Sequence, residues 1–538
     1  MKKIKYISWA IAALMFAGVA TSCVGDLDVT PIDENTVPPE EVLDSPEAFT
    51  QLLAKCYQGL ACSSSYGESG DPDIEGIDGG YGQYIRALFH LEELSTDEAI
   101  CCWNDGTLYD IHNMNWTSSN EFIAAMYYRI FFQIGLCNEF IRRSNETSVS
   151  GYSNKAAYIA EARALRLLSY YHAIDLFGNV PFSTEEMSVG SDSPKQISRA
   201  DLFDWMVSEC ESLINGSDLA EAGRNEYGRC DKGMVQMILA KLYLNAEIWK
   251  GGATAMYDKA AEVCEQIIGE YKLHSEKTSD GVYSAWRELF CADNHKFTAN
   301  TTYNGDEIIF AVEQDGINIH SYGATNYIIF ACTGGSMDTV NDIGISSGWG
   351  GVSLTGAFTS KFEDGDERAA FYKSDAYEQY VDAIRRESDS WSNGWKSMKF
   401  LNINHNGSAA QANGFVDTDF PVFRVADAYL MYAECAARGA ADKTKGQKYL
   451  NDIRKRAGVG DLALTLDNII DERGRELYHE CFRRQDLIRF GLFTTGDYLW
   501  EFKGGVQAGQ AVDDHYNLYP ITSGDLNANG NLTQNPGY

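Results

Sequence analysis

The motif Asp417-Thr418-Asp419 places two carboxylates one residue apart in a stretch without helical periodicity, and with Asp293 it offers the hard oxygen donors that Ca²⁺ takes. A structural Ca²⁺ held by Asp293, Asp417 and Asp419, with Asp306 in similar company, is one expectation; the competing one is a set of solvated loop acids. Gly344-Ile345-Ser346-Ser347-Gly348 has the Gly-x-Ser-x-Gly spacing of a nucleophile elbow. An elbow needs a strand running into the serine and a helix leaving it, whereas glycines lie on both sides here, so the match reads as accidental. A glycosidase needs two carboxylates across a cleft, and among 77 acidic residues no pair stands out. No His-Glu-x-x-His, phosphate-binding Gly-Lys-Ser/Thr loop or Gly-x-Gly-x-x-Gly occurs, which leaves metalloprotease, nucleotide hydrolase and dinucleotide-dependent chemistry without support.

The N-terminus carries chemistry of another kind. Lys2, Lys3 and Lys5 precede an apolar run from Ile7 to Ala20, and Val19-Ala20-Thr21-Ser22-Cys23 puts small residues just ahead of a cysteine. A basic flank, a short apolar core and that ending read as an export signal of the lipoprotein type, with Cys23 becoming the lipidated first residue. The run is short for a membrane span of about 20 residues. Residues 1–22 are thus expected to be the signal peptide and 23–50 the lipidated N-terminus and tether, with Thr30-Pro31 and Pro38-Pro39 stiffening it. The body then occupies 51–538.

A formal net charge of −33 would repel phosphates and so argues against nucleic acid or an anionic membrane face as partner, leaving neutral ligands open. Tyr 31, Trp 10 and Phe 25 supply many rings, mostly for the core, with some to spare for a binding surface. Thirteen cysteines suggest a disulfide framework, yet Cys56, Cys137, Cys210, Cys264, Cys435 and Cys481 sit singly in apolar, helix-like stretches and read as buried thiols. No Cys-x-x-Cys exists, so the usual zinc spacing is missing.

These groups must be positioned by helices. Apolar residues recur at three- and four-residue steps over Tyr158–Phe177, Asp231–Trp249, Met256–Ile268, Phe423–Arg438, Lys443–Arg456 and Leu466–Arg489. Gly178 before Pro181, and Gly458 after Arg454 and Arg456, are helix stops. Ala-rich pairs with tyrosines at the crossings (Ala240 and Tyr243; Ala428, Tyr429, Tyr432 and Ala433) read as degenerate tetratricopeptide-like hairpins. The fold expected is mainly α: a helical hairpin scaffold with long irregular loops. Between Lys272 and Phe420 the periodicity fades, with strand-like runs at Glu307–Val312 and Tyr327–Phe330, and Ser63–Tyr84 is another such excursion. Long loops on a rigid scaffold are where binding sites concentrate.

Several motifs occur together along the chain: Glu161-Ala162-Arg163-Ala164-Leu165-Arg166 through Asp175-Leu176-Phe177-Gly178-Asn179-Val180-Pro181; Phe423-Arg424-Val425-Ala426-Asp427-Ala428-Tyr429; Asn451-Asp452-Ile453-Arg454; Arg483-Arg484-Gln485-Asp486-Leu487; and the closing Asn531-Leu532-Thr533-Gln534-Asn535-Pro536-Gly537-Tyr538. With the lipobox, this set resembles the SusD/RagB family of Bacteroidetes outer-membrane lipoproteins. The resemblance implies a non-catalytic binding lid, lipid-anchored in the outer membrane and facing the cell exterior. Such a lid passes glycans, or peptides in some branches, to a TonB-dependent SusC-like barrel. It implies no required cofactor. The Arg and Glu residues of the motifs are expected to be scaffold, capping helices or pairing internally.

The loops are similar to those of a starch-binding member. That similarity implies a platform of Trp103, Tyr322 and Trp349 for successive glucose units of starch or malto-oligosaccharide, with Asp78 and Arg86 on hydroxyls. Cys101 stands where a further tryptophan is expected and Gly106 near the place of a side-chain amide, which Asn104 would replace. Each ring sheltering roughly 50 Å² of sugar contributes about 1 kcal/mol at ~25 cal/mol per Å², so the rings must act together. A lid for another glycan or for peptides, and a surface glycosidase, are the competing functions.

Overall fold

Short links between long amphipathic helices favour hairpins, and the structure, a computed structural model, builds its scaffold that way. It describes residues 43–64, 67–68, 71–187, 190, 193–251, 254–297, 307–373 and 394–538. The export signal, Cys23 and Asp306 lie outside them. The described residues fall into a small unit, 43–52 with Thr147–Ser153, in which Phe49 stacks on Tyr152, and a large one, Leu53–Glu146 with Asn154–Tyr538.

The helices that build the scaffold and site of the large unit are α1 (Tyr84–Glu92), α2 (Glu121–Glu146), α3 (Lys155–Leu176), α4 (Arg199–Asn215), α5 (Lys232–Leu244), α6 (Tyr257–Glu270), α7 (Ala324–Ala331), α8 (Val425–Ala437), α9 (Lys443–Arg456), α10 (Leu466–Leu477) and α11 (Arg483–Arg489). Helix α2 packs on α3, α3 on α4, α4 on α5, α5 on α6, α6 on α8, and α8 on α9 and α10. Caps set the starts: Ser198 accepts from Asp201 N, Asp231 from Met234 N, Asp442 from Thr444 N and Lys445 N, and Thr465 from Asn468 N. Gly458, at φ +76°, ends α9 after Arg454, Lys455 and Arg456, whose charges suit a helix C-terminus. At the α8–α9 crossing a Cβ on Gly446 would lie 2.4 Å from that of Ala436, so the backbones approach as only small residues allow. Ala426, Leu430, Ala433, Leu450, Ile453 and Ile469 fill the core beside it.

The motif arginines are interior, as expected of scaffold. Glu476 accepts from Arg368 (3.2 Å), Arg424 (2.5 Å) and Arg456; Glu307 accepts from Arg424 (2.8 Å) and Arg456; Glu472 accepts from Arg368 (2.7 Å) and Arg454 (2.9 Å). Arg483 grips Asp97 bidentately at 2.7 and 2.8 Å, tying α11 to the segment after α1. All twelve cysteines among the described residues are buried free thiols.

Four elements differ from the sequence reading. Asp231–Trp249 is interrupted at Asn245, between Lys232–Leu244 and the single turn Ala246–Trp249. Leu466–Arg489 is two helices, broken where His479 (φ +61°) and Cys481 (φ +65°) take left-handed backbone. Tyr327–Phe330 is helical, inside α7, and Phe423-Arg424 ends a strand before α8 begins. Four strands matter here: β1 (Ile100–Cys101), β2 (Ile308–Val312), β3 (Val352–Ser353) and β4 (Phe420–Arg424), with β1 antiparallel to β3 and β2 antiparallel to β4.

Candidate functional site

The β1–β3 ladder decides which loops meet. Pairing of Ile100 with Ser353 and Cys101 with Val352, extended by Cys102 N donating to the Gly351 carbonyl at 2.9 Å, lays the turn after Trp103 beside the loop Gly348–Gly351. That loop hangs on the end of α7: Trp349 N donates to the Phe330 carbonyl at 2.7 Å and Gly350 N to that of Thr333 at 2.8 Å. The Phe330 carbonyl is one that a helix C-terminus leaves unpaired, so the loop is a cap as well as a carrier. A Cβ on Gly348 would come within 2.2 Å of the Thr333 oxygen, so glycine is required for the approach.

Trp349 is thereby held, partly buried, against Phe330 (centroids 5.0 Å) and against the edge of Tyr322 (5.5 Å, 81°). Tyr322 is also partly buried, and its carbonyl accepts from Arg86 at 3.3 Å. The same guanidinium donates to the Gly80 carbonyl and lies 4.3 Å over the ring of Tyr327. Burial holds the Arg86 pKa below the ordinary guanidinium value, against the opposing pull of Tyr327, Cys101, Asp105 and Asp78. Asp78 is exposed, and its Oδ1 accepts from Gly80 N at 2.6 Å, so it and Arg86 are joined through one turn. Arg129 fixes that turn from below, donating to the Gly82 carbonyl at 2.8 Å while pairing with Asp73.

Thus Arg86, Tyr322, Trp349 and, through Gly80, Asp78 are brought together. Trp103 is not a third open ring. It is only 8% exposed, stands edge-on to Tyr327 at 6.1 Å, and lies so close on Gly351 that a Cβ there would be 2.1 Å from its Nε1. It walls the site, and exposed Asn104 follows it at the rim. Sequence reasoning missed Phe415, whose ring stacks near Tyr322 (6.0 Å, 24°), and His320, stacked on Phe415. Phe415 lies in a Gly-, Asn- and Ala-rich loop without periodicity, and only its being a lone aromatic there was a signal.

The acidic residues gather elsewhere in the same unit, around a cavity of about 390 Å³ lined by Asp293, Glu313, Asp417, Asp419, Gln314 and Gln411 among others. Asp293, Asp417 and Asp419 are buried, which removes the reading as solvated loop acids. Asp417 accepts from Gly316 N (2.8 Å) and Gln411 N (2.7 Å), Asp419 from Gln314 N (2.7 Å) and Tyr227 Oη (2.5 Å). Asp293 accepts from Lys296 and His405; burial opposes its ionisation, yet these bonds hold its pKa below the usual value. Burial pushes Asp419 up to about 8, with Glu313 and Asp417 adding to the rise. Among the described residues no group of three or more His, Cys, Asp or Glu side chains is disposed to hold a metal ion. Ca²⁺ also takes amide and backbone oxygens, however, and the oxygens of Asp417 and Asp419 keep a lone pair beyond the protein donors named, whereas Asp293 Oδ2 already accepts from both Lys296 and His405.

The Gly-x-Ser-x-Gly segment follows a single turn of π-helix, Thr339–Ile343, and its Ser346 is exposed, with its amide donating to the Asn413 carbonyl. No strand runs into it, so the elbow geometry is missing.

A family model described as the SusD family matches residues 370–538. The chain is 31% identical, over the full length of both chains, to the starch-binding protein SusD of Bacteroides thetaiotaomicron. It is 22% identical to a SusD-like protein of Bacteroides ovatus, covering 69% of this chain and 66% of that one. Among solved structures, surface glycan-binding protein A from Bacteroides thetaiotaomicron superposes with a TM-score of 0.68 at 20% identity, over 92% of this chain and all of that one. A SusD-like protein from Bacteroides fragilis superposes with 0.68 at 18%, over 95% of this chain and all of the other, so the helical scaffold is shared by both. Full-length identity above 30%, with the same scaffold beneath it, establishes that this chain belongs to the SusD family.

Proposed function

We propose that the protein captures starch-type oligosaccharides at the cell surface, without acting on them chemically, and passes them to a TonB-dependent SusC-like barrel in the outer membrane. The observation that carries this is the perpendicular pair of partly exposed rings, Tyr322 and Trp349, fixed at a loop junction beside the Arg86 guanidinium. Rings of this kind shelter the apolar faces of pyranoses, while Arg86, Asp78 and Asn104 offer charged and amide groups for hydroxyls at the rim. The full-length relative's name supports starch as the ligand, and a structural neighbour is described in complex with laminarihexaose, a second linear glucan. The lipobox at Cys23 supports anchoring in the outer membrane, and the acidic cavity supports a structural Ca²⁺ at Asp293, Asp417 and Asp419.

The test is calorimetry of the purified protein against malto- and laminari-oligosaccharides, with product analysis of each mixture and copurification from mild detergent. Weak binding of the malto series, unchanged sugars and a co-eluting β-barrel are expected. Binding of peptides or a non-glucan glycan in place of both series would overturn the starch reading, and shortened products would return the protein to the hydrolases.

A further inference from the structure

Resting on the glycan reading of Tyr322 and Trp349, we infer that the ring row continues through Phe415 to His320 and forms an additional subsite for one or two further hexose units of the same oligosaccharide. The Phe415 ring lies 6.0 Å from Tyr322 with planes 24° apart, and the His320 ring lies 4.6 Å from Phe415 with planes 11° apart. Phe415 is partly buried and His320 is exposed, so this stack adds little to any core. Its outer member turns toward solvent, where a ring face is free to meet a ligand. Trp349 stands across Tyr322 while Phe415 and His320 run nearly parallel to it, and the steps between rings are comparable with one pyranose unit. Phe415 and His320 cover each other's inner faces, so a linear chain that turns at Trp349 and runs on past Tyr322 would meet the edge of this stack and then the outer face of His320, which Phe415 backs.

The arm is built in advance of any ligand. Asp315 closes the loop that bears His320: its Oδ1 accepts from Ile317 N at 2.9 Å and Asn318 N at 3.0 Å, and its carbonyl from Ile319 N at 2.7 Å. Asp417 then fastens this loop to the one bearing Phe415, accepting from Gly316 N with one oxygen and from Gln411 N with the other. A Cβ on Gly316 would lie 2.6 Å from the Phe415 carbonyl oxygen, so the two loops touch backbone to backbone. On the far side of His320, Ser321 Oγ donates to the Ala61 carbonyl at 2.7 Å. Rings from segments 95 residues apart are therefore ordered before binding, which lowers the entropy that a sugar must overcome. Asp417 acts here as a positioning residue.

The experiment is calorimetry of wild type, His320→Ala, Phe415→Ala and Trp349→Ala with maltotriose and maltoheptaose, and with the matching laminari pair. His320→Ala and Phe415→Ala should each weaken the heptasaccharide about five-fold and the trisaccharide less than two-fold. His320→Ala, at an exposed position, should melt with the wild type, so a folding defect in Phe415→Ala leaves the test intact. Unchanged heptasaccharide affinity in His320→Ala, or an equal loss for both lengths, overturns the arm while Trp349→Ala still reports on the main site. If the wild type binds neither series, the glucan reading falls and the arm with it.

Discussion

Trp349→Ala is the most demanding test of the proposed site, because there the ring would have two duties of different size. Toward a ligand, roughly 50 Å² of indole face sheltered at ~25 cal/mol per Å² is worth about 1.3 kcal/mol, and a favourable stacking geometry brings the loss to about 1–2 kcal/mol, or some ten-fold in affinity. Toward the protein, the indole packs on Phe330 at 5.0 Å and meets the edge of Tyr322 at 5.5 Å, contacts worth about 0.5–1.5 kcal/mol each beyond the area they bury. A stability loss of about 1–3 kcal/mol should therefore accompany the binding loss, because the ring is partly buried and not a free flap. Trp116, 2% exposed with its Nε1 donating to Tyr538 Oη at 2.7 Å, is the contrast: Trp116→Ala should cost about 3–5 kcal/mol, as core truncations do. Calorimetry with maltoheptaose and urea denaturation of the same preparations separates the two duties. Affinity within two-fold of wild type in Trp349→Ala would refute the platform, whatever happened to stability.

Arg483→Met should lower stability by about 3–5 kcal/mol in urea, since Asp97 would be left buried without its bidentate partner; a loss below 1 kcal/mol would show that Tyr498, donating to the same carboxylate at 2.5 Å, suffices. With chelator present, the folded state keeps a proton on Asp419 up to about pH 8 that the unfolded chain releases near pH 4, so this group makes stability fall as pH rises across that window, by up to ~1.4 kcal/mol per unit. Asp419→Asn should flatten that part of the slope, and Ca²⁺ should raise the melting temperature more at pH 8 than at pH 6 by taking the proton's place; identical curves in Ca²⁺ and chelator would leave these carboxylates as loop anchors alone. Cys23→Ala should move the protein from the outer-membrane fraction to a soluble one, and undiminished membrane retention would place the anchor elsewhere.

The scaffold was legible because its signals are local. Periodic apolar residues and side-chain caps such as Ser198, Asp231 and Asp442 mark helices within a few residues of themselves. The break at His479 and Cys481 was not legible, since neither residue is the glycine or proline that usually announces left-handed backbone or a stop. The apolar run Tyr327–Phe330 was too short for periodicity to separate strand from helix, and it proved to be the middle of α7. In the site, Tyr322 and Trp349 were found through family likeness, but whether a ring faces out depends on distant backbone. Trp103 is closed off by Gly351, and Phe415 is paired with a histidine 95 positions away. Contacts of that range leave no trace in residue spacing.

The interlocked charges of Glu307, Glu472 and Glu476 with Arg368, Arg424, Arg454 and Arg456 bear on how such a chain can drift over generations. Losing any one member unbalances the buried charges of those it paired with, so a path from one arrangement to another is easiest when two positions change together. All but Glu307 and Arg368 of these seven fall within residues 370–538, the stretch that the family model matches. A ring on a loop such as Gly348–Gly351 has packing partners but no buried charge to unbalance, and can be exchanged in a single step at a cost the fold can carry. Ancestry is thus written where the charges lock, and novelty where they do not.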